Sequence, residues 1–148
     1  MNVMMNPEDA ELLARLNEGK VVQLSPRGIS MLPFIRCGHD KVRVHQEANV
    51  GVGDIVLAYY KDHLILHRIY AIDGSRFILM GDGNLKGNEE VEKSEVWGKV
   101  IEIVKENGRC HKPHKAWLWR HTLPMRRIML KIRRKWYKIR HLNPESIE

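Results

Sequence analysis

The sequence predicts a mainly β fold: a twisted, barrel-like domain with a short helix before it and a basic amphipathic helix after it. Three observations carry this. Short runs rich in β-branched and aromatic residues recur between Val21 and Val104, bounded by Gly, Pro or Asp. Helical periodicity is confined to the two ends of the chain. The charge divides as well. Residues 1–106 hold 13 Lys+Arg against 16 Asp+Glu, a balance of −3, whereas residues 107–148 hold 12 against 2, a balance of +10. The chain therefore reads as an N-terminal helix over 1–20, a β domain over 21–106 and a basic helical tail over 107–148.

The first element begins at Asn6-Pro7-Glu8-Asp9, which offers a capping amide, a proline at the first helical position and acids at the positive end of the dipole. Leu12, Leu13 and Leu16 form its apolar stripe, and Gly19 can end it. Val21–Leu24, Lys41–Val44 and Asp54–Tyr60 read as strands. Lys61-Asp62 turns the third of these into Leu64–Ile72, and Asp73-Gly74 turns that strand into Arg76–Met80. Val96–Val104 is the last predicted strand, closed by Asn107-Gly108. In the tail, Met125, Ile128, Met129, Ile132, Trp136 and Ile139 recur at helical spacing, while eight Lys/Arg and no acid lie within 126–140.

At 148 residues with 43% hydrophobic composition, the chain can bury a core. No run of about 18 uncharged apolar residues exists to span a bilayer, and Glu8, Asp9 and Glu11 are unlike a signal peptide. Two cysteines, Cys37 and Cys110, make no disulfide framework. Reduced thiols and a cytoplasmic location, peripheral to a membrane through the tail, are expected.

Three strings carry chemistry. Ser30 lies in Arg27-Gly28-Ile29-Ser30-Met31-Leu32-Pro33, His67 in Leu64-Ile65-Leu66-His67-Arg68-Ile69, and Asp82 in Gly81-Asp82-Gly83-Asn84. A hydroxyl, an imidazole and a carboxylate can serve as nucleophile, base and orienter, because a serine hydroxyl attacks poorly until a positioned base takes its proton. Gly28 permits a tight bend and Pro33 stiffens its exit, so backbone N–H groups near Ser30 can face a developing oxyanion. Taken singly, each string reads as a turn or a packed strand residue.

Together the strings resemble the Ser-dependent peptidases that include the signal peptidases and the LexA-like self-cleaving repressors. Gly28-Ile29-Ser30-Met31-Leu32-Pro33 matches their nucleophile box. Val52-Gly53-Asp54-Ile55-Val56 is similar to the strand that follows, Leu66-His67-Arg68-Ile69 to the base-bearing strand, and Gly81-Asp82-Gly83-Asn84 and Trp97-Gly98-Lys99-Val100 to the two closing boxes. The likeness covers about residues 20–104. It implies a LexA/signal-peptidase-like fold and a serine endopeptidase acting on leader or signal-like peptides. His67, where bacterial signal peptidases carry lysine, aligns the chain with the histidine-type enzymes. A histidine titrates near neutrality without the desolvation a lysine base needs.

Asp82 is the first choice of orienter. The resemblance also points to an acidic position six residues further on. That position is Asn88 here, and its neighbour Glu89 is the alternative. Gly28 supplies no hydroxyl to the oxyanion pocket, so Gly28, Ile29, Ser30 and Met31 form a nucleophile box that relies on main-chain donors. No counterpart of the family's N-terminal membrane helix is read in these residues, so a specialised processing role is expected rather than general export. About 20 residues precede the domain, too few for the DNA-binding unit of a repressor.

Other classes of function remain. A non-catalytic module on the same fold would hold a peptide along an open strand edge. The basic segment 109–142, with Trp117, Trp119, Trp136 and Tyr137, suits an anionic membrane surface better than nucleic acid. Cys110, His111, His114 and His121 match no compact zinc spacing, so no metal and no cofactor are expected.

Overall fold

The computed structural model describes residues 7–26, 31, 34–81, 89–113, 128, 131–132 and 135. The expected N-terminal helix runs over Pro7–Asn17 (α1) with Glu8 and Asp9 in its first turn. Its end is a Schellman motif. Gly19, at φ +80°, and Lys20 direct their amides to the carbonyls of Leu16 and Arg15 at 3.0 and 3.2 Å. Leu13 and Leu16 are buried, so the helix lays its apolar stripe on the sheet.

The protein is mainly β, with an antiparallel sheet curled into a half-barrel. In chain order the strands are β1 (Val22–Leu24), β2 (Lys41–His45), β3 (Ile55–Tyr60), β4 (His63–Asp73), β5 (Arg76–Met80), β6 (Glu89–Glu92), β7 (Val96–Val104) and β8 (Cys110–His111), with a 3-10 turn at Lys93–Glu95. The spatial order is β1-β2-β7-β3-β4-β5-β6, and β8 adds to β7. All six strands expected from the sequence form. β6 and β8 are additions that the pattern did not reveal. Glu89-Glu90-Val91-Glu92 carries one apolar residue, and Cys110-His111 is only two residues long. The sheet thus continues beyond residue 106 to His111.

Two hairpins fix the middle of the sheet. Tyr60 pairs with His63, leaving Lys61 and Asp62 as a two-residue loop at φ 44° and 69°, the backbone of a type I′ turn. The next turn sits one residue later than its Asp-Gly signal implies. Asp73 pairs with Arg76, so Gly74 at φ +61° and Ser75 are the central residues. Glycine in the first central position suits a type II′ turn.

Alternation along the strands builds a core on each face. One holds Leu13, Leu16, Val22, Met31, Ile35, Val42, Val44, Ile55, Leu57, Val100 and Ile103. The other holds Val56, Ala58, Ile69, Phe77, Leu79 and Val91. The helix expected over 125–139 lies outside the described residues except for Ile128, Lys131, Ile132 and Lys135, which are helical and exposed. Among the described residues, no helix is long and apolar enough to cross a membrane.

Gly98 explains one motif residue. It pairs with Leu57 on β3, and the pairings of β7 with both β2 and β3 shift register close to it. A Cβ at this position would fall 2.5 Å from Val44 Cγ1 and 3.3 Å from the His45 carbonyl oxygen. Val44 is fully buried, and its branched side chain has little room to turn aside. Gly98→Ala is therefore expected to lower the unfolding free energy by about 1–3 kcal/mol, measured by urea denaturation.

Candidate active site

His67 sits on β4 opposite Val56 of β3, on the face that carries Ile69, Leu79 and Val91. The same face leads across two strands to an acid. Ile69 pairs with Leu79 on β5, and Leu79 pairs with Glu89 on β6, so Glu89 projects on the side of His67. A register irregularity between Ile69 and Ala71 interrupts β4 just beyond the histidine. His67 Nδ1 lies 2.8 Å from Glu89 Oε2. Both side chains are largely shielded, with 8% and 19% of their surfaces exposed. An ionised carboxylate only accepts hydrogen bonds, so Nδ1 carries the proton and donates it to Glu89. In the neutral ring Nε2 then keeps its lone pair, as a general base requires.

Arg68, the next residue, faces the opposite side of the sheet and has no exposed surface. Its Nη1 donates to the Gly53 carbonyl at 2.8 Å, and its guanidinium carbon lies 5.5 Å from the centre of the Phe34 ring. The Gly53 motif position is explained by this contact. Its φ of +97° is accessible to glycine, and its amide bonds to the Ile69 carbonyl at 2.8 Å. Asp54 returns a bond from the Ile69 amide, also 2.8 Å, and its carboxylate holds the Gly51 amide and lies 3.4 Å from Lys99 Nζ. The Val52–Val56 string is thus a clip that fixes the β3–β4 pair behind His67.

Of the nucleophile string, Gly28, Ile29 and Ser30 lie outside the described residues, as does Asp82. Met31 is described and is buried in the first core. Its carbonyl accepts the amides of Phe34 and Ile35 at 3.1 and 3.0 Å, which makes a compact turn immediately after Ser30. That turn is anchored further along by Asp40, whose carboxylate is buried. Asp40 Oδ2 accepts the Arg36 amide at 2.9 Å and Lys105 Nζ at 3.0 Å, while Oδ1 accepts Arg36 Nη2 at 3.2 Å. Lys105 Nζ also donates to the Phe34 carbonyl at 3.0 Å.

Of the two acids proposed as orienter, Glu89 meets the imidazole. Asp40, Lys105 and Phe34 were not signalled by the sequence. Asp40 and Lys105 are 65 positions apart, and nothing local to either marks the other. Arg68 had a signal, a charge flanked by apolar strand residues, which implies a buried and compensated group. Among the described residues no cluster of three His, Cys, Asp or Glu could hold a metal ion; His114 and His121 lie outside them. No protein-family model matches the chain, and no curated protein matches it.

Burial alone would raise the Asp40 carboxyl, but hydrogen bonds from Arg36 and Lys105 outweigh it and hold it below the usual carboxylate range. A depressed folded value means that Asp40 stabilises fully above its ordinary value near pH 4. This contribution is lost as pH falls through the lower folded value. Urea midpoints measured from pH 7 to pH 2 should show that acid-side decline in the wild type and less of it in Asp40→Asn. The variant should lose about 1–3 kcal/mol at pH 7.

Proposed function

We propose that this chain is a serine endopeptidase of the signal-peptidase and LexA-like kind, closest to the histidine-type signal peptidases. The His67–Glu89 pair, with the histidine buried and the carboxylate largely shielded, carries the reading. It supplies an imidazole oriented through Nδ1, with the other nitrogen left to act as base. In this mechanism the Ser30 hydroxyl attacks the scissile carbonyl as His67 Nε2 takes its proton. Backbone amides near Ser30 hold the oxyanion. The C–N bond then breaks as the imidazolium gives its proton to the leaving amine, and water repeats the cycle in reverse roles to release the acyl group. Glu89, rather than Asp82, fixes the tautomer and stabilises the imidazolium. The substrate class, a leader or signal-like peptide with small residues at the cut, comes from the resemblance.

Phe34, four residues after Ser30, lies against Arg68, the residue after His67 on β4, so the chain just after Ser30 packs on the base-bearing strand. The reading requires Ser30 to reach the His67 face. Ser30→Ala should abolish cleavage of leader peptides and labelling by a serine-directed acylating probe, with unchanged circular dichroism. Glu89→Gln should lower kcat by roughly a thousandfold or more. Equal processing by Ser30→Ala and wild type would exclude the enzyme and leave the peptide-binding module.

The tail is proposed to meet an anionic membrane surface. Ile128 and Ile132, one helical turn apart, are 62% and 54% exposed, so this part of the apolar stripe is not packed on the body. The eight Lys/Arg and no acid of 126–140 complement anionic headgroups. Apolar side chains beside them favour a bilayer over nucleic acid. The protein should co-sediment with phosphatidylserine-containing vesicles and not with pure phosphatidylcholine. Ile128→Asp/Ile132→Asp should weaken the binding at least about tenfold. Tighter binding to duplex DNA than to the anionic vesicles would reverse this assignment.

A further inference from the structure

We infer that His45 is a pH-operated latch tying the C-terminal end of α1 to the sheet, independently of the peptidase reading. His45 is the last residue of β2. Its Nδ1 lies 3.0 Å from Glu47 Oε1, and its Nε2 lies 3.2 Å from the Gly19 carbonyl oxygen. A carboxylate and a carbonyl only accept hydrogen bonds. Both contacts are therefore satisfied at once only by a ring that carries a proton on each nitrogen, the imidazolium. The neutral ring has one N–H to give and leaves one of the two acceptors unmet.

The latch grips a corner of the fold. Gly19, at φ +80°, ends α1, and its carbonyl stands at the negative end of the helix dipole, where a cation is favoured. Val22 on β1 pairs with Val44, the residue before His45, so the helix end, the first strand and the ring meet at one place. β1 closes one end of the strand order, a margin of the kind that opens locally before the rest of a fold. Leu13 and Leu16 hold α1 by apolar contact, and His45 adds a polar bond whose strength depends on its charge.

The other charges around the ring are matched elsewhere. On α1, Arg15 lies in the last turn, and Glu18 and Lys20 flank Gly19 and pair with each other at 2.8 Å. From β7, Lys99 stands opposite His45 and is drawn to Asp54 at 3.4 Å. Arg43, two residues back on β2, is held by Glu102 at 2.6 Å, and β1 carries no charged residue. The bond to Glu47 is the largest cause that raises the imidazole above its ordinary value near 6.5; burial opposes it, and the Gly19 carbonyl adds to it. A raised folded value means that the latch is fully engaged below the ordinary value and is released as pH rises through the folded one. The helix end is clamped in mildly acidic solution and loosened in mildly alkaline solution.

The test follows the full chain by NMR from pH 5.5 to pH 9. It reads the titration of the His45 ring and the hydrogen-exchange protection of the Gly19 and Lys20 amides, which close the end of α1, with each rate corrected for its intrinsic dependence on pH. Protection should fall about two- to fivefold as His45 loses its proton. Linkage requires this fall to equal the ratio of proton affinities of the closed and open ends. His45→Arg, which keeps charge and donors, should hold the protection flat across the range, and His45→Gln should show the low value throughout. Glu47→Gln should move both the titration and the loss of protection to lower pH. The Ile69 amide, bonded to the Asp54 carbonyl inside the sheet, should not change in any of them.

A ring that titrates at or below its ordinary value would overturn the inference. So would protection that stays flat across the wild-type titration, or full protection in His45→Gln at pH 6. A loss shared equally by Ile69 would report global unfolding and overturn it too. If either His45 variant does not fold, the wild type and Glu47→Gln decide by the same criteria.

Discussion

A fully buried arginine is the constraint on which the arrangement depends. Arg68 has no exposed surface, so its guanidinium must find its partners inside the protein. The Gly53 carbonyl and the Phe34 ring meet part of that need. Each belongs to a segment that would otherwise be free to choose its path. Compensating one guanidinium therefore draws the turn after Ser30, the Gly53-Asp54 clip and β4 to a common point. Because strand residues alternate, it also commits His67 to the other face. The guanidinium against one core and the imidazole beside the other are set by the same strand.

On that other face, strand register does the positioning. Glu89 reaches His67 because Ile69, Leu79 and Glu89 lie in line across β4, β5 and β6. A slip of one residue in either pairing would turn the carboxylate to the opposite side of the sheet. The Gly74-Ser75 turn and the buried Phe77, Leu79 and Val91 hold the register. The hydrophobic pattern of these strands is therefore also what sets an acid beside a base.

The sequence made much of this legible, for reasons that differ by element. The apolar runs and turn residues reported β2, β3, β4, β5 and β7, because burial on one or both faces demands them. Pro7 and Gly19 bounded the helix. The motif glycines were readable as backbone needs, and the structure explains Gly53 by its positive φ and Gly98 by the closeness of Val44. β6 escaped because Glu89, Glu90 and Glu92 resemble a solvated loop. Its pairing comes from β5, a tertiary cause. For the same reason Glu89 was legible only as an alternative: its approach to His67 depends on two strand pairings, whereas a turn aspartate such as Asp82, which lies outside the described residues, is marked locally. The Asp40–Lys105 bond, spanning 65 positions, has no local signature at all.

The position of β6 at the end of the strand order has a further consequence. It is a four-residue strand with β5 as its neighbour in the sheet, so it belongs to the class of segments that open before the rest of a fold. Peeling of this margin would carry the carboxylate away while β4 and both cores remained assembled. Warmth or mild denaturant would then strip the imidazole of its partner well before the molecule melts.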